Sequence, residues 1–178
     1  MKKLAAFAIL TILATACGGN DPLQGLGDPV QGTTIGLNLP VDQSLIATVT
    51  QFSSSNPFFG MTYNNIGASA TVTAPAAGFV VSVDNSVNAG FYAVTIYHNA
   101  RLSSQLRFLQ IPSVRAGDYV NAGDVIGSIP SSGFGLTGLG LSVYVDGSNV
   151  PTCPLSYLSS TARSFYTSKF GGAFPCLN

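Results

Sequence analysis

Val114-Arg-Ala-Gly-Asp-Tyr-Val-Asn-Ala-Gly-Asp-Val-Ile-Gly-Ser-Ile129 is the stretch whose reading decides the fold. Two Ala-Gly-Asp triplets, Ala116-Gly117-Asp118 and Ala122-Gly123-Asp124, stand six residues apart, with Val120, Val125, Ile126 and Ile129 at strand spacing between and after them. Glycine adopts the positive φ of a tight turn, and aspartate bonds its own backbone two residues on. The segment therefore reads as strand, turn and strand. A related sentence runs from Ala70 to Asp84, where Ala74-Pro-Ala-Ala-Gly78 separates two β-rich runs. Outward from these, Ser44–Thr50, Met61–Asn65, Phe91–Tyr97, Gln105–Leu109 and Leu141–Val145 are short and strand-like, and Gln51–Gly60 and Pro130–Gly140 are loops. Such spacing, with no helix expected after the leader, predicts an all-β domain of antiparallel sheets, one domain at this length.

Residues 1–17 read as a leader: Lys2 and Lys3, an apolar run from Leu4 to Ala14, then small residues before Cys17. This resembles the lipobox of bacterial lipoproteins, in which the cysteine thiol is lipidated. An ordinary secretory peptide cut near Ala16 is the alternative. The absence of Asp after Cys17 points, by the sorting rules the resemblance implies, to the periplasmic face of the outer membrane. Residues 18–37, rich in Gly, Asp, Pro and Gln, read as a flexible tether with a reach on the order of 25 Å. The β-domain is expected over 38–158 and an aromatic tail over 159–178.

Seven Lys and Arg balance seven acids, all of them Asp; loss of Lys2 and Lys3 with the leader leaves a formal charge of −2. A face so sparse in cations excludes nucleic acid as the natural partner. Cys153 and Cys176 remain once Cys17 is set aside. In an oxidising compartment they pair most simply, strapping the tail to the domain; a zinc site would lack ligands.

In order along the chain, these pieces resemble the lysostaphin/LytM-type zinc metallopeptidase domain, a β-fold known as a duplicated hybrid motif. Val72-Thr-Ala-Pro-Ala-Ala-Gly-Phe-Val80 is similar to the family's Val-x-Ala-Pro-x-x-Gly-x-Val. Tyr97-His98-Asn99 falls on its Asp-His-Gly turn, Val114–Asp118 on Val-Lys-x-Gly-Asp, Ala122–Gly127 on Ala-Gly-Gln-x-Ile-Gly, and Pro154-Leu-Ser-Tyr-Leu158 on the closing Pro-Leu-x-Tyr-Leu. The resemblance covers roughly Phe58 to Leu158. It implies cleavage of peptidoglycan peptides at a zinc held by two His and one Asp, with an open position for water.

The ligand positions depart from that pattern. In the best alignment Met61 and Asn65 stand for the His and Asp of His-x-Gly-x-Asp, Gly140 and Ser142 for His-x-His, and Phe108 for the histidine of Tyr-x-His-Leu. Thioether, amide, hydroxyl and phenyl groups supply neither three good zinc donors nor a general base. His98 is the chain's only histidine, at a family position outside the metal site, and reads as structural. No metal and no cofactor is expected.

The expectation is therefore a catalytically inactive domain serving as a binding or regulatory module, engaging a peptidoglycan peptide or a cell-wall hydrolase or its regulator, as the resemblance implies. Met61, Asn65, Phe108, Gly140 and Ser142 mark a candidate groove; Met61, Phe108 and Tyr144 either line an apolar slot or plug it as core. Arg101, Arg107, Arg115 and Tyr144 are candidate partner contacts, with solvated arginines as the plainer reading of the three cations. A peptidase with an unrecognised metal set and a purely structural surface lipoprotein are the competing readings. A lipoyl-type carrier fails, because Lys169 in the tail is the only lysine after the leader.

Overall fold

The computed structural model describes residues 35–50, 60–64, 66–67, 69–88, 90–129, 138–171 and 176. The leader with Cys17, the tether up to residue 34 and Asn65 lie outside the described residues.

The Val114–Ile129 stretch folds as two copies of one device. The Gly117 N–H donates to the Val80 carbonyl and the Val80 N–H to the Asp118 carbonyl, each at 2.8 Å; six residues on, Gly123 and Asp124 make the same pair of bonds with Ala74, each at 2.9 Å. In both turns the aspartate carboxylate accepts an amide at 2.7 Å, Asp118 from Arg115 and Asp124 from Asn121. The bond runs three residues back rather than two residues on, so aspartate closes the mouth of the turn instead of its tip. Gly117 and Gly123 sit at φ of 94° and 88°, where a Cβ is strained.

These clamps set the flanking strands. Among the described residues nine strands form: β1 (Thr48–Thr50), β2 (Met61–Asn64), β3 (Thr71–Thr73), β4 (Gly78–Asn88), β5 (Phe91–Asn99), β6 (Leu102–Leu109), β7 (Tyr119–Val120), β8 (Val125–Ser128) and β9 (Leu139–Val145). Seven make one sheet in the order β1-β2-β9-β6-β5-β4-β7, and β3 pairs with β8 in a second. All pairings are antiparallel. Val80, Ile96, Leu106, Leu141 and Val143 of the large sheet bury one face against Val72 and Ile126 of the small one in a shared core.

His98 points into this interior. Its Nδ1–H donates to the Ala77 carbonyl and its Nε2 accepts the Ser104 hydroxyl, both at 2.8 Å, so the neutral ring is fully satisfied. Burial pushes its pKa down to about 4.

The tail departs from expectation. Ser160–Phe170 is an α-helix, α1, capped by the Ser159 hydroxyl accepting the Ala162 N–H and ended by Gly171 at φ 82°. Ala162 and Tyr166 are buried in the shared core, and the Tyr166 hydroxyl donates to that of Tyr63 at 2.6 Å. Desolvation raises the pKa of both phenols and keeps them protonated. The helix is thus part of the core, and the Cys153–Cys176 disulfide closes a chain segment with a sequence separation of 23 that contains it. The boundary expected at residue 37 also moves: Leu37 is fully buried, its N–H donates to Tyr157 and its carbonyl accepts from Ser159.

Two outcomes follow for stability. The folded chain resists protonating His98, whereas the unfolded chain takes the proton near pH 6.5. Stability is therefore whole above about pH 6.5 and falls by about 3 kcal/mol as pH drops to about 4; urea midpoints across this window should show the slope, and His98→Gln should flatten it. Replacing Cys153 and Cys176 by serine should cost roughly 3 kcal/mol, read from the same denaturation curves.

Candidate functional site

The register of β2 on β9 decides what the outer face of the large sheet presents. Met61 lies opposite Leu141, Thr62 opposite Gly140 and Tyr63 opposite Leu139. Directly paired residues share a face, and faces alternate along a strand. Met61 and Tyr63 therefore go inward with Leu139 and Leu141, all fully buried in the core. The other face carries Thr62 and Asn64 from β2, then Gly140, Ser142 and Tyr144 from β9. Across β6, Arg107 pairs with Gly140, Gln105 with Ser142 and Ser103 with Tyr144.

The sequence-based placement of Met61 is corrected by this register. Met61 lies on the opposite side of the sheet from Gly140 and Ser142. The position that meets Ser142 is Gly60, where an added Cβ would stand 2.6 Å from the Ser142 Oγ. Four residues on, Asn64 shares the Gly140 face, its Nδ2 donating to Thr50 Oγ1 at 2.8 Å. Gly60 stands against Ser142, whereas Asn64 shares their face but lies roughly 13 Å further along β2, turned toward Thr50. Asn65, the residue paired with Met61 in the sequence-based placement, lies outside the described residues.

Phe108 completes this part of the face. It is the extra residue of a bulge, since Tyr92 pairs with Leu109 and Ala93 with Arg107. Its φ is 71°, which turns its side chain toward the Arg107 side. The ring covers Gly140: a Cβ there would lie 3.4 Å from Phe108 Cε2 and 3.3 Å from Arg107 Cβ. Phe108 and Ser142 are only 3% and 2% exposed. Glycine at 140 and phenylalanine at 108 are thus a steric pair, the ring filling space that the glycine leaves.

Beyond Phe108 the face is a hydrogen-bonded row of neutral groups that begins at one cation, Arg107. The Arg107 Nε–H donates to Gln105 Oε1 at 2.5 Å, and the Gln105 amide donates to Thr95 Oγ1 at 3.0 Å. The Tyr144 hydroxyl also reaches Gln105 Oε1, at 3.4 Å. The three expected arginines do not gather into one patch. Arg101 sits at the β5–β6 turn, six residues and roughly 20 Å of strand from Arg107, in an exposed pair with Asp146 at 2.8 Å. That hydrogen bond lowers the Asp146 pKa. Arg115 stands on the first Ala-Gly-Asp turn, its N–H bound to Asp118.

A metal finds no donor set here. Among the described residues no three His, Cys, Asp or Glu gather to hold an ion. The groups this face presents are a glycine hydrogen against a hydroxyl, a phenyl ring beside them and an amide further along β2, which do not fit the nitrogen and anionic oxygen ligands of catalytic zinc. His98 is on the core side, bonded to Ala77 and Ser104.

The sequence pattern of peptidase family M23 matches residues 60–151, just over half of the chain. The chain belongs to peptidase family M23. Among proteins of curated function none matches it. Of solved structures, a zinc-containing peptidase from Vibrio cholerae superposes with a TM-score of 0.53 at 22% identity, over 66% of this chain and 39% of that one. Helicobacter pylori Csd3 gives 0.55 at 22%, over 76% and 38%. A chain of the SpoIIQ–SpoIIIAH pore-forming complex gives 0.55 at 22%, over 71% of this chain and 93% of that chain. The first two are far longer than this chain, which spans 39% and 38% of their lengths. At these identities the likeness is one of fold.

The Gly140–Phe108 pair makes a specific prediction. Gly140→His should collide with the ring and cost on the order of 1–3 kcal/mol. Phe108→Ala should recover most of that loss when added to Gly140→His, although it destabilises the wild type on its own. Thermal denaturation of the four proteins measures this as a double-mutant cycle.

Proposed function

We propose that this chain is a catalytically inactive member of its family, held at the cell envelope by a lipid on Cys17 and acting as a binding or regulatory module in peptidoglycan remodelling. The observation that carries the reading is the composition of this face. Gly60, Asn64 and Ser142 lie on it with Gly60 against Ser142, Phe108 covers Gly140 beside them, and among the described residues no three His, Cys, Asp or Glu gather there, which leaves neither a metal-binding set nor a base near neutral pH. The scaffold is nevertheless intact, with its turns clamped and its face ordered by hydrogen bonds. A scaffold kept whole without its chemistry suits recognition, and a chain of similar fold, 93% of which the likeness covers, belongs to a protein–protein complex. The partner under this reading is a cell-wall hydrolase or its regulator, or a peptidoglycan peptide, met at the periplasmic face of the outer membrane.

Two experiments test it. Crosslinked peptidoglycan incubated with the purified chain should release no new peptide ends, with or without added zinc, while an active family member releases them; zinc-dependent release by this chain would end the reading. Metabolic labelling with palmitate should mark the wild-type chain in the envelope fraction and not the Cys17→Ser variant. Equal labelling of both would remove the anchor.

A further inference from the structure

The outer face of the large sheet holds a cavity of about 400 Å³, within the size range of small-molecule sites. It lies along the hydrogen-bonded row, away from Phe108. Tyr97 on β5 and Tyr144 on β9 flank Ser103, which pairs with both of them across β6. Two strand spacings separate the tyrosine backbones, about 10 Å. Small Ser103 forms the floor between two aromatic walls. Thr95 and Gln105 make the next rung, and the turn with Asn149 closes one end.

Two features define what such a slot takes. None of its lining residues is charged, and the one cation beside it, Arg107, is turned onto Gln105 Oε1, so the walls and floor themselves offer a carboxylate or ammonium group no counter-ion. Its polar groups are hydroxyls and amides, and Gln105 is locked by Thr95, Tyr144 and Arg107. A pre-set amide between aromatic walls suits a ligand with an apolar face and a rim of neutral hydrogen-bonding groups. A pyranose ring has that form, with C–H groups on its face and hydroxyl or acetamido groups around its edge. A peptide with free termini does not. We propose that this slot binds a neutral saccharide, of the N-acetylhexosamine class, with Tyr97 and Tyr144 as walls and Gln105 as the fixed polar contact. The inference rests on the binding-module reading above but not on its protein partner.

The test uses the chain with Cys17→Ser, its disulfide intact, and tri-N-acetylchitotriose as probe. Amide chemical shifts of Thr95, Ser103, Gln105 and Tyr144 should move saturably, and tyrosine emission should change, a clean signal because the chain has no tryptophan. Tyr144→Ala and Tyr97→Ala should each weaken binding about tenfold. Ser103→Leu, which fills the floor and leaves both walls, should abolish it, and serves if a tyrosine variant unfolds. Absence of saturable binding at millimolar sugar, binding unchanged in Ser103→Leu, or a stem peptide moving these amides where the sugar does not would overturn the proposal. A chain that ignores the sugar yet captures a hydrolase would sink this inference alone, whereas zinc-dependent peptide cleavage would sink the earlier one.

Discussion

Met61 opposite Leu141 is the pairing on which the arrangement of this face depends. Side chains on a strand alternate, so sliding β2 by one residue would exchange its core and outer sets. Burial of Met61 and Tyr63 holds the register, and Tyr63 adds a hydroxyl contact to Tyr166 on α1. With that register in place, Gly60 and Asn64 come to the same face as Gly140 and Ser142. The identity of the outer face is thus imposed from the core beneath it.

The core and the outer face are built from different contacts, so the fold does not depend on the residues that the outer face carries. The two Ala-Gly-Asp turns are tied to Ala74 and Val80 by backbone bonds that need no metal. The His98 pair with Ser104, the disulfide and α1 all belong to the interior or the tail. On the outer face, the space at Gly140 is taken by Phe108, and the neighbouring polar groups satisfy one another. This face is closed at one end by Phe108 and lined at the other by hydroxyls and amides, with Arg107 between them.

Much of the fold was legible because its turns have a local chemistry. Ala116-Gly117-Asp118 and Ala122-Gly123-Asp124 carry the glycine and the carboxylate that their turns require, and β4, β5 and β6 begin and end near their apolar alternation. The helix was not legible as such. Ala162, Phe165, Tyr166 and Phe170 have helical spacing, but Ser and Thr fill much of the rest of the segment, and docking against Tyr63 and Leu37 supplies what its local propensity lacks. The site was legible in its composition, since a single histidine cannot furnish the family's ligand set. Its geometry was not: only strand pairing separates Met61 from Gly60, and only the bulge at Phe108 shows that its ring covers Gly140.

Zinc bound to the purified, disulfide-intact chain, measured by elemental analysis after equilibration with a slight excess of the ion, tests the central claim most directly. A face that carries Gly60, Asn64 and Ser142 should retain no zinc above the buffer background. Near-stoichiometric zinc that survives dialysis and leaves on chelation would contradict the account.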